Sequence, residues 1–359
     1  MKTQITEGLD KAVVDSFLQN RLYEQLYWPT IFPIKNVNSL DAKTLIGAMG
    51  SRVAAHVISY DSKAPEASRK SISTKYFDIP KTAQSRTKTE KEILEHAITK
   101  AMQGQNAVIE DYFNDIDFVF DSVQARMEWF ALQALSLTKI QLSTTNNPQG
   151  IVNETVVDFG MATANKKTVA VIWSAANAAT MTPIADFKAV VKAARDLGLT
   201  FTKALMHPDA FDFITGCAEF QTAAKSLLLG EGTLLGYTGI DTVNKVFTSL
   251  RLPPISLIET SVGIEAKSGV VTQSNPWSST HVTFVAEDQQ GNMYNGPIAE
   301  EIEKPDGVLQ SKKGNVLVSI QKSFNPVKVV TKAETNVFPS WPNVDRCFSL
   351  YTAHASTWA

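Results

Sequence analysis

Cysteine is the first scarcity: only Cys217 and Cys347 occur among 359 residues. Two thiols cannot supply the disulfide framework of a small secreted domain, and this usage fits maturation in a reducing cytosol. A surplus of one charge is missing as well, because 34 basic and 36 acidic side chains leave a formal charge of −2. Without a polybasic surface, direct DNA reading and electrostatic membrane attachment are poor explanations of the chain. No run of about 18 or more apolar residues occurs, and MKTQITEGLDKAVVDSFLQNR lacks a cationic segment followed by an apolar one. Neither a membrane span nor a secretory signal is expected. The sequon-like Asn153-Glu154-Thr155 then carries no meaning, since glycosylation needs the secretory route.

Catalytic motifs are missing too. H-E-x-x-H, G-x-S-x-G, C-x-x-C and an EF-hand loop do not occur. His56, His96, His207, His281 and His354 are scattered, with no second histidine or cysteine at a metal-ligand spacing. Asp111, Asp115, Asp117 and Asp121 share one helical stretch, where solvated carboxylates are a simpler reading than a cation site. Cys217 in an apolar helical run and Cys347 beside Phe348 read as buried, unreactive thiols. Gly230, Gly232, Gly236 and Gly239 lack the lysine of a P-loop and the strand–turn–helix setting of a dinucleotide fold, and read as a flexible loop. No catalytic, cofactor-binding or metal-ligating residue is assigned, and no cofactor is expected.

What the chain does have is 44% apolar residues against 19% charged, enough to bury more than one core, so two or three subdomains are expected. Its organising stretch is Asn106 to Ile140, where Ile109, Phe113, Ile116, Phe120, Val123, Met127, Phe130, Ala134 and Leu137 alternate four-step and three-step spacings. That is a helix period. Acidic residues crowd its first half while Arg126 and Lys139 lie in the second, the order a helix dipole favours. At about 1.5 Å per residue this helix is roughly 50 Å long, as long as a molecule of this size is wide. A coiled-coil strand is the alternative, but the segment is single, and Phe113, Phe120 and Phe130 suit a sheet or mixed core better than an a/d seam.

Ahead of this spine, Leu9 to Leu26 repeats at three and four residues, and Trp28-Pro29-Thr30-Ile31-Phe32-Pro33 then ends any helix and begins an extended arm. Tyr27, Trp28 and Phe32 need a covering surface, from the chain's own body or from a neighbour. Residues 37–88 predict a long hairpin with flanks Val53–Tyr60 and Lys70–Ile79 and a polar tip around Pro65. Such a ribbon is marginal alone in water. Thr89 and Glu92 predict a capping box opening a helix to Met102. A turn-rich connector, Thr144–Gly150, and a short strand within Ile151–Phe159 follow the spine. Residues 160–305 read as a mixed α/β unit: a buried strand Val169–Trp173, a helix Ile184–Leu197 begun by Pro183 and stopped by Gly198, a strand Phe201–His207, one or two helices over Pro208–Leu229, and strands near Ser256–Glu259 and His281–Ala286. After Gly307 come strands Asn315–Phe324, Val327–Thr331 and Phe348–Tyr351, with Phe338–Asn343 as a proline-rich turn; these are expected to return onto the spine.

The order of parts resembles the major capsid protein of tailed phages, and several stretches are similar to the lambda-type capsid protein E family. They are Phe32-Pro33, Trp173 followed by Thr182-Pro183-Ile184-Ala185-Asp186-Phe187, Met206-His207-Pro208-Asp209-Ala210-Phe211, and Asn292-Met293-Tyr294-Asn295-Gly296-Pro297-Ile298-Ala299-Glu300. The resemblance implies an α+β chain with the Hong Kong 97-like fold. Its parts are an N-terminal arm (1–36), an extended loop (37–88), a peripheral domain with the spine helix (89–159), an axial domain (160–305) and C-terminal strands (306–359). It implies a non-enzymatic subunit that self-assembles into hexamers and pentamers of an icosahedral head, with arm and loop overlapping neighbours. Tyr27, Trp28, Phe32, Lys63, Arg69, Lys70 and Tyr76 become the candidate contacts between copies. No long N-terminal scaffold-like segment is visible, which implies a separate scaffolding protein, with a portal and optionally a decoration protein as further partners. The shell is expected to enclose double-stranded DNA without sequence-specific binding, to form in the host cytoplasm and to touch no membrane. Two rival classes stay open: another ring- or tube-forming virion protein, and an α/β enzyme.

Overall fold

In the computed structural model, residues 11–20, 26–47, 72–103, 105–150, 156–229, 238–354 and 358 are described. Along the chain, α1 (Lys11–Asn20) and the one-turn α2 (Trp28–Ile31) precede β1 (Ile34–Asn36), β2 (Asp41–Gly47), β3 (Ile72–Asp78) and β4 (Lys81–Lys88). Helix α3 (Glu90–Gln103) and the spine α4 (Gln105–Leu137) follow, then β5 (Lys139–Ile140), β6 (Val157–Asp158) and β7 (Lys166–Thr168). Next come α5 (Pro183–Asp196), β8 (Lys203–Met206), α6 (Pro208–Gly216), α7 (Ala218–Ala224), α8 (Ile240–Ser249) and β9 (Ile255–Leu257). The remainder is β10 (Val262–Glu265), β11 (Val271–Ser274), β12 (His281–Val285), β13 (Asn292–Asn295), α9 (Ala299–Ile302), β14 (Leu309–Lys313), β15 (Val316–Phe324), β16 (Val327–Ser340) and β17 (Phe348–Tyr351).

The chain divides into two compact units. The first takes Met1–Ala42, Tyr76–Ala131 and Asn292–Ser340, and the second takes Lys43–Lys75, Leu132–Gly291 and Trp341–Ala359.

In the first unit the sheet runs β1-β13-β16-β15-β14, with β4 also paired to β16. The sequence assigns β4 to the extended loop; instead it aligns antiparallel with β16 over Lys81↔Asn336 to Lys88↔Val329. Its sequence, KTAQSRTK, has no apolar alternation to announce this, because the partner strand supplies the backbone bonds and the spine supplies the side-chain contacts. Lys88 Nζ lies 3.0 Å and Arg86 Nη1 3.5 Å from Asp115 of the spine, while the Arg86 guanidinium sits 3.6 Å over the Phe118 ring. Strand β13 belongs to this sheet as well, not to the axial part as expected. Pro339, expected in a turn, lies inside β16 opposite Met293. Met293 donates its N–H to Pro33 on the other flank, so the Met293/Pro339 pair is one that exchanges no ladder bonds, and the proline's missing N–H loses nothing.

The spine covers this sheet as its periodicity predicts: Ile116, Val119, Phe120, Val123, Met127 and Phe130 are buried, and Phe130 meets Phe338 of β16 at 5.5 Å. Its N-terminal neighbour α3 opens on the expected capping box, with Thr89 donating its N–H and its hydroxyl to Glu92 Oε2 at 2.7 and 2.8 Å. The spine stops at Leu137, short of the expected Ile140. Thr138 takes a left-handed conformation (φ 56), and Lys139 and Ile140 pair with β6.

The second unit is a five-stranded sheet, β7-β17-β12-β8-β9, packed with α5, α6, α7 and α8. Phe187, Phe220, Phe247, Phe284 and Phe348 lie in one buried cluster. Helix α5 begins at Pro183 and ends before Gly198 (φ 74), as expected, although Thr182 does not cap it. Glu219 of α7 does, accepting the N–H groups of Ile184 and Ala185 at 2.7 and 3.2 Å. The last turns of the spine join this unit through Ser136, whose Oγ accepts from Ser278 N–H at 2.7 Å, and through Leu135, whose carbonyl accepts from Thr283 Oγ1 at 2.8 Å. Strand β17 pairs here with β12 and β7, so the last strand of the chain does not return to the first unit's sheet.

Val169–Trp173 is not a strand. The strand is β7, just before it, and Val169 and Trp173 are buried in a bent, irregular stretch that donates to Tyr351 and Thr352 carbonyls. The reason is Asp186, which accepts the Trp173 indole N–H at 2.9 Å and the Ala170 N–H at 3.1 Å and so takes the place of a neighbouring strand. Replacing Asp186 with alanine leaves the buried Trp173 indole N–H without its acceptor, at about 1–3 kcal/mol, and removes the acceptor of the exposed Ala170 N–H at a smaller cost. Urea unfolding of Asp186→Ala is expected to show a loss of about 2–4 kcal/mol, with a smaller loss for Asp186→Asn, which keeps one acceptor; equal losses would show that the carboxylate pairing is not what holds this stretch.

Candidate functional site

His207, His281, Cys217 and Cys347 are held in structural roles. His207 opens α6, its Nδ1 accepting from Asp209 N–H at 3.1 Å. His281 is buried, with Nδ1 2.9 Å from Ser278 Oγ and its ring stacked on Tyr351. Cys217 does not lie inside a helix but caps α7, accepting from Phe220 N–H at 3.3 Å, and Cys347 Sγ lies 2.8 Å from Gln290 Oε1. Burial pushes both thiols up, and a thiol held protonated is a poor nucleophile. Among the described residues, no group of three or more His, Cys, Asp or Glu is placed to hold a metal ion. Asp115, one of the four spine carboxylates, is buried against Lys88 and Arg86 and is not solvated. A depression of about 700 Å³ is lined by Asp241, Asn244, Lys245, Thr248 and Ser249, all from α8. Polar groups of one helix face do not converge as those of a ligand pocket do. No helix of the described residues is long and apolar enough to cross a membrane.

The arrangement that does stand out in the first unit is the fastening of the arm. Glu128 of the spine is fully buried. Its Oε1 accepts the Tyr27 N–H at 3.0 Å and its Oε2 the Trp28 N–H at 2.8 Å. These donors begin α2 and have no partner within so short a helix, and a carboxylate at a helix start is favoured by the local dipole. Burial raises the Glu128 carboxyl above its ordinary range, with the two backbone bonds acting against that rise. Beyond the clasp, Trp28, Ile31 and Phe32 are buried, and β1 runs parallel to β13 over Ile34↔Met293 to Asn36↔Asn295.

The stretch Asn292–Glu300 is the strip that receives the arm. Asn295 Nδ2 donates to Asn36 Oδ1 at 2.8 Å, Asn336 Nδ2 donates to the Pro297 carbonyl at 2.6 Å, and a Cβ on Gly296 would meet Leu40 Cδ2 at 2.9 Å. At its end, Glu300 pairs with Lys332, which also lies 2.9 Å from Glu334. Lys81 approaches Glu334 too, so β4, β16 and α9 meet around one buried carboxylate. Burial alone would raise the Glu334 carboxyl; the two ammonium groups outweigh it and hold the group below its ordinary value.

Of the candidate contacts between copies, Trp28 and Phe32 are buried within the chain itself, at 6% and 0% exposure. Tyr27 is half-buried, with its N–H bound to Glu128. Lys63, Arg69 and Lys70 lie outside the described residues, as do Val53–Tyr60 and the Gly230–Gly236 loop; Tyr76 is placed only as part of the β3 backbone. Sequence reasoning missed Glu128 and Glu334. The signal for Glu128 was present: one carboxylate set among Met127, Trp129 and Phe130 on a helix whose apolar face is buried must find donors.

A fastened arm, a spine helix, a sheet built on one long strand and a separate five-stranded α/β unit together define a phage capsid fold of the Hong Kong 97 type. The chain has a TM-score of 0.60 and 12% identity to a protein assigned as the capsid protein of an Escherichia coli CFT073 prophage, covering 95% of this chain and 98% of that one. A phage-related protein of Bordetella bronchiseptica RB50 (TM-score 0.49, 12% identity, 95% and 97% covered) and the capsid of cyanophage A-1(L) (0.49, 12%, 98% and 99%) are similar over comparable lengths. No curated protein matches in sequence. The family model of phage major capsid protein E matches residues 20–351. The chain belongs to that family, and it is a shell-forming major capsid protein of a tailed phage.

Removing the clasp by Glu128→Ala is expected to reduce stability by about 2–4 kcal/mol and to speed proteolysis between α1 and β1; an unchanged cleavage pattern would mean that the arm is held by other contacts. Glu334 titrates below its ordinary value of 4.5, so the unfolded chain binds its proton more readily. The stability it contributes is full above that value and is lost as pH falls through the folded value. The difference in stability between the unaltered chain and Glu334→Gln is therefore expected to shrink on acidification below about pH 4, as read by thermal melts across pH.

Proposed function

We propose that this chain builds the icosahedral head of a tailed double-stranded DNA phage as hexamers and pentamers. The observation that carries this reading is family membership over residues 20–351, with the capsid fold supporting it. The arm and the loop are proposed to overlap neighbouring copies, with Tyr27, Lys63, Arg69, Lys70 and Tyr76 as contact residues and the loop taken to end before β4. A scaffolding protein, a portal and a decoration protein are the proposed partners. The chain has no catalytic role in this reading. Near-neutral charge supports a wall that encloses DNA without gripping it, because tight phosphate contacts require clustered Lys and Arg. Synthesis takes place in the host cytoplasm, and the mature location is the virion shell.

Electron microscopy of the expressed full chain tests this. Closed shells or capsomer sheets are expected; tubes would move the chain to the tail, and compact single particles with a turnover-dependent activity would move it to the enzymes.

A further inference from the structure

We infer that α1 is a guard: it closes the open edge of the first unit's sheet at β14 and keeps that edge from pairing with a strand of any other chain. The inference goes beyond the capsid reading and holds whether or not the chain closes into shells.

The sheet runs β1-β13-β16-β15-β14, so β1 and β14 end that path. A strand at a sheet edge presents unpaired N–H and C=O groups to which an incoming strand can add. Strand β1 has little to offer, being three residues long and following Pro33. Strand β14 is five residues long and contains no proline. Its register with β15 fixes which groups are open. The two-residue turn Gly314-Asn315, with Gly314 at φ 60, makes Lys313 and Val316 the closing pair, and a closing pair of this kind is hydrogen-bonded. Backbone groups alternate in direction along an antiparallel strand. Those of Leu309, Ser311 and Lys313 therefore turn to β15, and those of Gln310 and Lys312 turn outward, where no other strand among the described residues meets them.

Helix α1 stands at this edge. Gln19 Nε2 donates to the Lys312 carbonyl, one of the outward groups, at 3.1 Å, and Lys313 Nζ donates to the Gln19 carbonyl at 3.4 Å. Phe17 stacks on Phe113 of the spine with ring centroids 4.2 Å apart, while Val14 and Leu18 are fully buried. The helix is thus seated on the spine and on the edge strand together, within the first unit. The strand's own defences are engaged elsewhere. Charged side chains, lysine above all, ordinarily discourage strand addition, but Lys312 is paired with Glu301 at 2.7 Å and Lys313 is buried. The cover falls to α1. Family membership does not account for it, because the matched residues 20–351 take in only the last residue of α1.

The test unseats α1 in the full chain with Leu18→Asp, which puts a charge where the leucine has no exposed surface. Association is followed by thioflavin T fluorescence and by sedimentation, which separates irregular aggregates from closed shells. The share of chains in strand-paired aggregates is expected to rise about tenfold, the ratio that accompanies roughly 1.4 kcal/mol of lost cover. Adding Gln310→Pro separates edge pairing from the stickiness of a bared core. The Gln310 N–H faces outward, so proline there removes no bond to β15 and blocks an incoming strand. The double variant is expected to return to the level of the unaltered chain. Aggregation that persists in the double variant, or its absence in Leu18→Asp while proteolysis shows α1 released, would overturn the guard. If Leu18→Asp loses its cooperative melt, Gln19→Ala decides, since it removes only the side-chain bond to Lys312. A rise of about threefold that Gln310→Pro cancels is then expected, and no rise overturns the inference. Shell formation by the unaltered chain is a separate measurement; its failure would remove the capsid reading and leave the guard standing.

Discussion

A strand of fourteen residues offers more backbone donors and acceptors than one short neighbour can satisfy, and in β16 that obligation organises the whole first unit. One stretch is matched by β15, an overlapping stretch by β4, and the last four residues by β13. Because buried N–H and C=O groups must be paired, each partner is drawn to β16 from a different part of the chain. The arm then arrives one strand further out, as β1 beside β13. The spine closes the same sheet from one side through Met127 and Phe130, and Asn315 lies between Met127 and Thr335, its Nδ2 within 3.4 Å of Met127 Sδ and 3.1 Å of Thr335 Oγ1.

Three buried carboxylates follow one pattern. Glu128 holds two backbone N–H groups of the arm, Asp186 an indole and a backbone N–H, and Glu334 two ammonium groups. Glu128 and Asp186 sit on regular elements and take their donors from segments with little regular structure of their own, whereas Glu334 pairs with Lys332 of its own strand and with Lys81 of β4. A buried charge is weak evidence for net stability. What Glu128 and Asp186 do supply is direction, since each oxygen accepts one donor of the incoming segment. For a subunit that must present the same surfaces in every copy of a shell, one placement of each segment matters more than the last kcal/mol.

The absence of a convergent polar site in the described residues accords with this. His207, His281, Cys217 and Cys347, of types that carry chemistry elsewhere, cap helices or fill the core here. Family membership and fold place the function in assembly, where shape and apolar area are the working quantities.

Much of this was legible in the residues. The spine was, because its three-and-four spacing persists for more than eight turns; so were the capping box of α3 and the Pro183 start and Gly198 stop of α5, since caps and helix periods are local properties. The candidate site was less legible. Trp28 and Phe32 announced that they needed cover, but nothing nearby in the sequence said whose, and the start of the arm is held by a glutamate a hundred positions away. The strand order was hidden for the same reason. The polar KTAQSRTK becomes a strand because β16 is long, and Val169–Trp173, which is apolar enough for a strand, is instead held by Asp186. By itself the sequence determined which segments can be helix and which residues must be buried, because those follow from backbone propensity and solubility of neighbours a few residues apart. Only the tertiary structure decided which strand pairs with which, and which carboxylate receives which donor, because hydrogen bonds between distant segments depend on where the rest of the chain has already been placed.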